Sequence, residues 1–169
     1  MNACFRKLLP AITATLCGLA GAAVAAPRSV EAFDAGTWDQ LRAHGARPSA
    51  VVFSTTDCVH CPAVIDHLVK QIRQRKLQAS LVAVVMDAAP GDNDAALLAN
   101  PHYRQAGRIF AFAGQAPALR HSVEPRWRGV TPYVVFLVPG RPSRAVTGPP
   151  SDDDVDAWVQ SGRAAASTR

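Results

Sequence analysis

Ala50, Val51, Val52 and Phe53 form an unbroken apolar run of β-branched and aromatic character, the pattern of a strand covered on both faces. From Pro62 the period changes. Ile65, Leu68, Val69 and Ile72 recur at i, i+3, i+4 and i+7, with Asp66, Lys70, Gln71 and Arg73 on the other side, so an amphipathic helix follows. Residues 81–86 are a second buried strand ending at Asp87. Strand, crossover helix and strand make a parallel βαβ unit with a right-handed connection, and an α/β sheet with helices against it is the architecture this implies.

Around that unit the sequence predicts further elements. Residues 29–33 form a short strand, and Thr37 to Gln40 read as a capping box opening a helix that Gly45 ends. Residues 95–99 begin a helix, and residues 103–112, with Ile109, Phe110 and Phe112, form another; residues 114–128 carry no decisive pattern. Residues 133–138 are an apolar strand, Pro139-Gly140 a turn, and residues 144–147 its antiparallel return. Ser151 caps a last helix whose first turn holds Asp152, Asp153 and Asp154, charges suited to the positive end of the macrodipole. Its buried stripe is Val155, Trp158 and Val159.

Residues 1–25 are set apart from the fold. Arg6 and Lys7 precede an uncharged stretch that ends in Ala23-Val24-Ala25, the small-residue triplet of a signal peptide cleaved after Ala25. An uncleaved membrane anchor is the alternative, opposed by the Ala, Gly and Thr content and by Pro10. One compact domain over residues 26–163, a flexible tail over residues 164–169 and a periplasmic or otherwise exported location are the resulting expectations. The 169-residue chain has formal charge +5, from 18 Lys+Arg and 13 Asp+Glu, and loss of Arg6 and Lys7 lowers it to +3. With no basic run, so small an excess gives no nucleic-acid footprint.

Cys4 and Cys17 leave with the signal, so the exported chain keeps Cys58 and Cys61, spaced C-x-x-C. A disulfide closing so short a loop adds little through chain entropy, so stability is a poor reason for the pair. Chemistry is a better one. Cys58 lies where the buried strand becomes the helix, and unpaired N–H groups with a partial positive charge favour its thiolate, lowering its pKa below the unperturbed value of about 8.5. Cys61, one turn on and nearer the core, can attack a mixed disulfide formed by Cys58. His60 adds an imidazole that tunes the thiolate by hydrogen bonding or charge, or simply fills an exposed position. Asp57 works against thiolate formation, less so when solvated.

Downstream stands Gly129-Val130-Thr131-Pro132-Tyr133, with a proline opening an apolar strand. With the strand leading to Cys58-Val59-His60-Cys61-Pro62, the helix, then Thr131-Pro132 and an acidic-capped final helix, nearly the whole exported chain resembles the thioredoxin fold family. The resemblance implies a thioredoxin-like α/β fold with a central mixed sheet flanked by helices. It also implies an enlarged segment, residues 88–129, between the third strand and the proline strand. Further, it implies a cis bond at Pro132 and a Thr131 backbone that pairs with an extended substrate segment beside the cysteines.

Departures from the family narrow the reading. Thioredoxins have Trp before the first cysteine and Gly-Pro between the two, where this chain has Asp57 and Val59-His60; six residues before the first cysteine they have a buried acid, and here Val52 stands there. His before the second cysteine resembles the periplasmic disulfide oxidants, and Thr before the proline is similar to the periplasmic isomerases. Arg126-Trp127-Arg128 is either a partner contact or a packed Trp with solvated arginines. Arg104, Arg108 and Arg120 read as exposed helix charges.

The expected function is an exported thiol-disulfide oxidoreductase exchanging disulfides with protein substrates through Cys58 and Cys61. It needs no cofactor and no metal, and it works with a redox partner protein. The competing reading is a metallochaperone holding Cu(I) through Cys58 and Cys61, with or without His60. Its relatives space the cysteines by three residues and add a distant His, and neither His102 nor His121 sits in such a motif.

Overall fold

The computed structural model describes residues 26–43 and 45–167. The signal-peptide expectation falls on residues 1–25, outside these. Among the described residues six strands form one sheet: β1 (Val30–Phe33), β2 (Ser49–Ser54), β3 (Ser80–Val85), β4 (Arg108–Phe112), β5 (Tyr133–Leu137) and β6 (Arg144–Thr147). Their spatial order is β1-β4-β3-β2-β5-β6, with β1, β4, β3 and β2 mutually parallel and β5 antiparallel to both β2 and β6. The helices are α1 (Ala35–Ala43), α2 (Cys61–Gln74), α3 (Asp94–Ala99), α4 (Ala116–Val123) and α5 (Asp152–Ser167).

Strict alternation along β2 divides the core. Ala50 and Val52 join Ile65, Leu68 and Val69 of α2 and Val155, Trp158 and Val159 of α5 on one face. Val51 and Phe53 join Trp38, Leu119 and Trp127 on the other. The four residues are fully buried, which is why this strand reads as a continuous apolar run.

Two expectations need correction. Residues 103–112 are not a helix: a 3-10 turn, Tyr103–Gln105, precedes strand β4, where Ile109, Phe110, Ala111 and Phe112 are all buried between β1 and β3. The first helix is capped not at Thr37 but at Asp34, whose carboxylate accepts the Thr37 N–H at 2.6 Å. That bond holds the Asp34 carboxyl below its ordinary range. In the unassigned stretch, residues 116–123 fold as α4, with Pro117 in the first turn. The last helix runs to Ser167.

Candidate active site

The turn from β2 into the first residue of α2 carries both cysteines. They form a disulfide, with Cα atoms 5.5 Å apart, a normal separation for the bond. Cys61 opens α2 and is 1% exposed, Pro62 follows in the first turn, and Cys58 is partly exposed. The Cys61 N–H points at Cys58 Sγ, 3.2 Å away. A helix amino terminus therefore faces the outer sulfur, and the inner sulfur is shielded.

The loop is held from below by groups that local sequence patterns do not reveal. The Thr55 carbonyl accepts the Cys58 N–H at 3.2 Å. Asp87, just past β3, accepts the Thr56 N–H with both carboxylate oxygens at 2.9 Å and the Thr56 hydroxyl as well. Ser54 and Tyr103 meet through their hydroxyls at 2.9 Å, buried at the end of β2. Asp87 had one available signal, since it ends a parallel strand beside β2 at the carboxyl edge where sites in such sheets gather. Ser54 and Tyr103, separated by 49 positions, had none.

The proline segment lies at the same end of the sheet. Phe53 pairs with Tyr133 across β2 and β5, so residues preceding Tyr133 run alongside residues following Phe53. The Thr131–Pro132 peptide is cis, and the Pro132 carbonyl accepts the Gly148 N–H at 2.8 Å. Trp127 underpins this segment. It is buried, stacks on Tyr133 at 4.3 Å and donates its indole N–H to the Val130 carbonyl at 3.0 Å. Trp127 is thus core, and Arg126 and Arg128 on either side are exposed. Arg120 is not an exposed helix charge either: its side chain lies over Gly129. Arg108 sits on β4 rather than a helix, paired with Glu31, whose carboxyl it holds below the ordinary range.

Val59 is 84% and Val130 55% exposed, the only large apolar residues left open among the described residues. One lies between the cysteines and the other beside Thr131. His60 is exposed and occupies the position just before α2, with no side-chain cap bond. Together with Ala63, Val64, His67, Pro149 and Pro150 it lines an open groove of about 210 Å³. His102, one of the two distant histidines considered for copper, is bound to Asp66 at 3.0 Å. Among the described residues no three His, Cys, Asp or Glu side chains cluster to hold a metal, and none of their helices is long and apolar enough to cross a membrane.

No family model matches this sequence, and no curated protein matches it. Solved structures do. A thiol:disulfide interchange protein of the thioredoxin family from Chlorobium tepidum superimposes with TM-score 0.50 at 17% identity, over 82% of this chain and 94% of the other. A thioredoxin-like protein in its oxidised form gives 0.50 at 18% identity, over 86% and 99%. A secreted Mycobacterium tuberculosis disulfide oxidoreductase gives 0.46 at 18%, over 68% and 81%. The chain has the thioredoxin-like fold, and its own C-x-x-C pair stands at the mouth of α2.

Proposed function

We propose that the protein is an exported thiol-disulfide oxidoreductase that exchanges disulfides with protein substrates. The observation that carries this reading is the unequal burial of the two bonded sulfurs: Cys58 is partly open beside exposed Val59, and Cys61 is 1% exposed at the start of α2. An open sulfur facing helix N–H groups is suited to attack, and a shielded one three residues on is suited to release.

In the reducing direction, the Cys58 thiolate attacks one sulfur of a substrate disulfide. A Cys58–substrate S–S bond forms as the substrate S–S bond breaks, and the partner sulfur leaves as a thiolate that takes up a proton. Cys61 then loses its proton and attacks Cys58 Sγ, forming the Cys58–Cys61 bond and expelling the second substrate thiolate. Two electrons pass from the dithiol to the substrate. The reverse sequence starts from the disulfide and oxidises a substrate dithiol, and a second protein restores the starting state.

The Thr131 backbone, beside Pro132, takes an extended substrate segment by strand addition. Exposed Val130 and Val59 flank the docking mouth, and His60 favours the Cys58 thiolate through its positive charge when protonated. Export rests on the leader-like residues 1–25 and on the suitability of an oxidising compartment for a disulfide.

The test is a trapping experiment with Cys61→Ser, run alongside the reduction potential of the wild-type pair. Mixed disulfides between Cys58 and exported proteins are expected. Stoichiometric copper binding with no mixed disulfide would replace this reading with the metal-carrier one.

A further inference from the structure

Tyr103 belongs to no motif, yet its phenol reaches the loop that carries Cys58. Its oxygen lies 2.9 Å from Ser54 Oγ and 3.4 Å from the Thr55 carbonyl, and Ser54 Oγ lies 3.1 Å from the same carbonyl. That carbonyl oxygen also accepts the Cys58 N–H at 3.2 Å. One peptide oxygen therefore joins two hydroxyls to the backbone of the outer cysteine.

The phenol is rigidly placed. Asn100 Oδ1 accepts the backbone N–H groups of His102 and Tyr103, at 2.9 and 3.2 Å. His102 and Gln105 both reach the Asp66 carboxylate on α2. Burial, opposed by the Ser54 bond and aided by the Asp87 charge, keeps the phenol above its ordinary pKa, so it remains a neutral donor. Along the same face of β2 the preceding position is Val52, fully buried, which offers no polar group.

We propose that Tyr103, acting through Ser54 and the Thr55 carbonyl, is a positioning residue that sets the ionisation of Cys58 and hence the balance between dithiol and disulfide. The proposal rests on Cys58 being the attacking sulfur in the function given above. A hydroxyl hydrogen at the Thr55 oxygen offsets its partial negative charge and fixes the peptide that aims the Cys58 N–H. Removing it leaves a more negative oxygen near the sulfur that becomes a thiolate on reduction. Only the reduced form carries that charge, so the reduced form loses more.

Tyr103→Phe and Ser54→Ala provide two independent variants, each examined in three ways. In a Cys61→Ser background, the pH midpoint for alkylation of Cys58 by iodoacetamide is expected to rise. With both cysteines present, the equilibrium in which oxidised glutathione takes two electrons from the dithiol, giving the protein disulfide and two reduced glutathione molecules, is expected to shift at least threefold toward the protein disulfide. Denaturant unfolding should then reveal a larger loss of stability in the reduced than in the oxidised protein, by the same factor, as linkage requires.

Equal destabilisation of both forms with an unmoved alkylation midpoint would overturn the proposal and leave Tyr103 as a structural prop. Should Tyr103→Phe fail to fold, the same three readouts on Ser54→Ala decide. A moved midpoint in a protein that never exchanges with protein disulfides would sustain the role of Tyr103 and refute the proposed function instead.

Discussion

Phe53 and Tyr133 stand opposite each other in the antiparallel β2–β5 pair, with ring centroids 6.1 Å apart. β2 continues past Phe53 toward the cysteines, and the cis Thr131–Pro132 peptide immediately precedes Tyr133. This one pairing registers the cis-proline segment against the disulfide segment. Trp127 locks it, in edge contact with Phe53 at 5.0 Å and stacked on Tyr133 at 4.3 Å.

Trp127→Phe should therefore separate docking from chemistry. The ring contacts largely persist, but the bond to the Val130 carbonyl is lost, a change worth about 1 kcal/mol of stability. Exchange with a protein disulfide should slow several-fold while exchange with a small dithiol stays near wild type. Equal slowing of both, measured by stopped-flow, would mean that Trp127 serves the fold and not the Val130–Thr131 segment.

Gly129 has φ +85°, and a Cβ built there would lie 3.1–3.2 Å from the Arg120 side chain. Gly129→Ala is expected to destabilise by about 1–3 kcal/mol, chiefly through the backbone conformation. Arg120 is flexible enough to yield, so adding Arg120→Ala should recover only a minor part. Full recovery in denaturant unfolding would assign the effect to the side-chain contact.

Ile109 is fully buried in β4, the strand between β1 and β3. Ile109→Ala is expected to lower stability by about 2–5 kcal/mol, as for any central core position. A loss below about 1 kcal/mol would show that β4 packs too loosely to be part of the main sheet.

The first turn of α5 gives a pH-dependent contribution. Asp154 accepts hydrogen bonds from the Ser151 hydroxyl and backbone N–H and pairs with Arg144, and these hold its carboxyl below the ordinary 3.8. The folded chain thus holds fewer protons at this group than the unfolded chain in acid. Its contribution is complete above the unfolded value and disappears as pH falls through the folded one. Asp154→Asn should be less stable than wild type at pH 7, with the gap closing below pH 3; a gap independent of pH would rule this linkage out.

The sequence exposes the features that are local. The 50–53 run, the 3.6-residue period after Pro62 and the i, i+3 spacing of Cys58 and Cys61 are each determined within a few residues. Residues 103–112 mislead because Tyr103 and Phe110, seven apart, also fit a helical stripe; a strand buried on both faces loses the alternation that would distinguish it. Asp34 is hidden as a cap because Thr37, three residues later, is also a favoured cap type and is followed at the right spacing by Gln40. The Ser54–Tyr103 contact joins positions 49 apart, and no periodicity encodes such a meeting. Trp127 fits a partner contact or a core position equally well by sequence, and Tyr133 and Phe53 around it make it core.

The position of β1 bears on how the protein can be attached to anything else. It is one of the two edge strands, three strand spacings or about 14 Å from β2, and it runs parallel to the strands leading toward the cysteines, so Val30 lies at the opposite end of the sheet. A tag or fusion joined ahead of Val30 would emerge behind and to one side of the cysteines, leaving their approach open to large polypeptides.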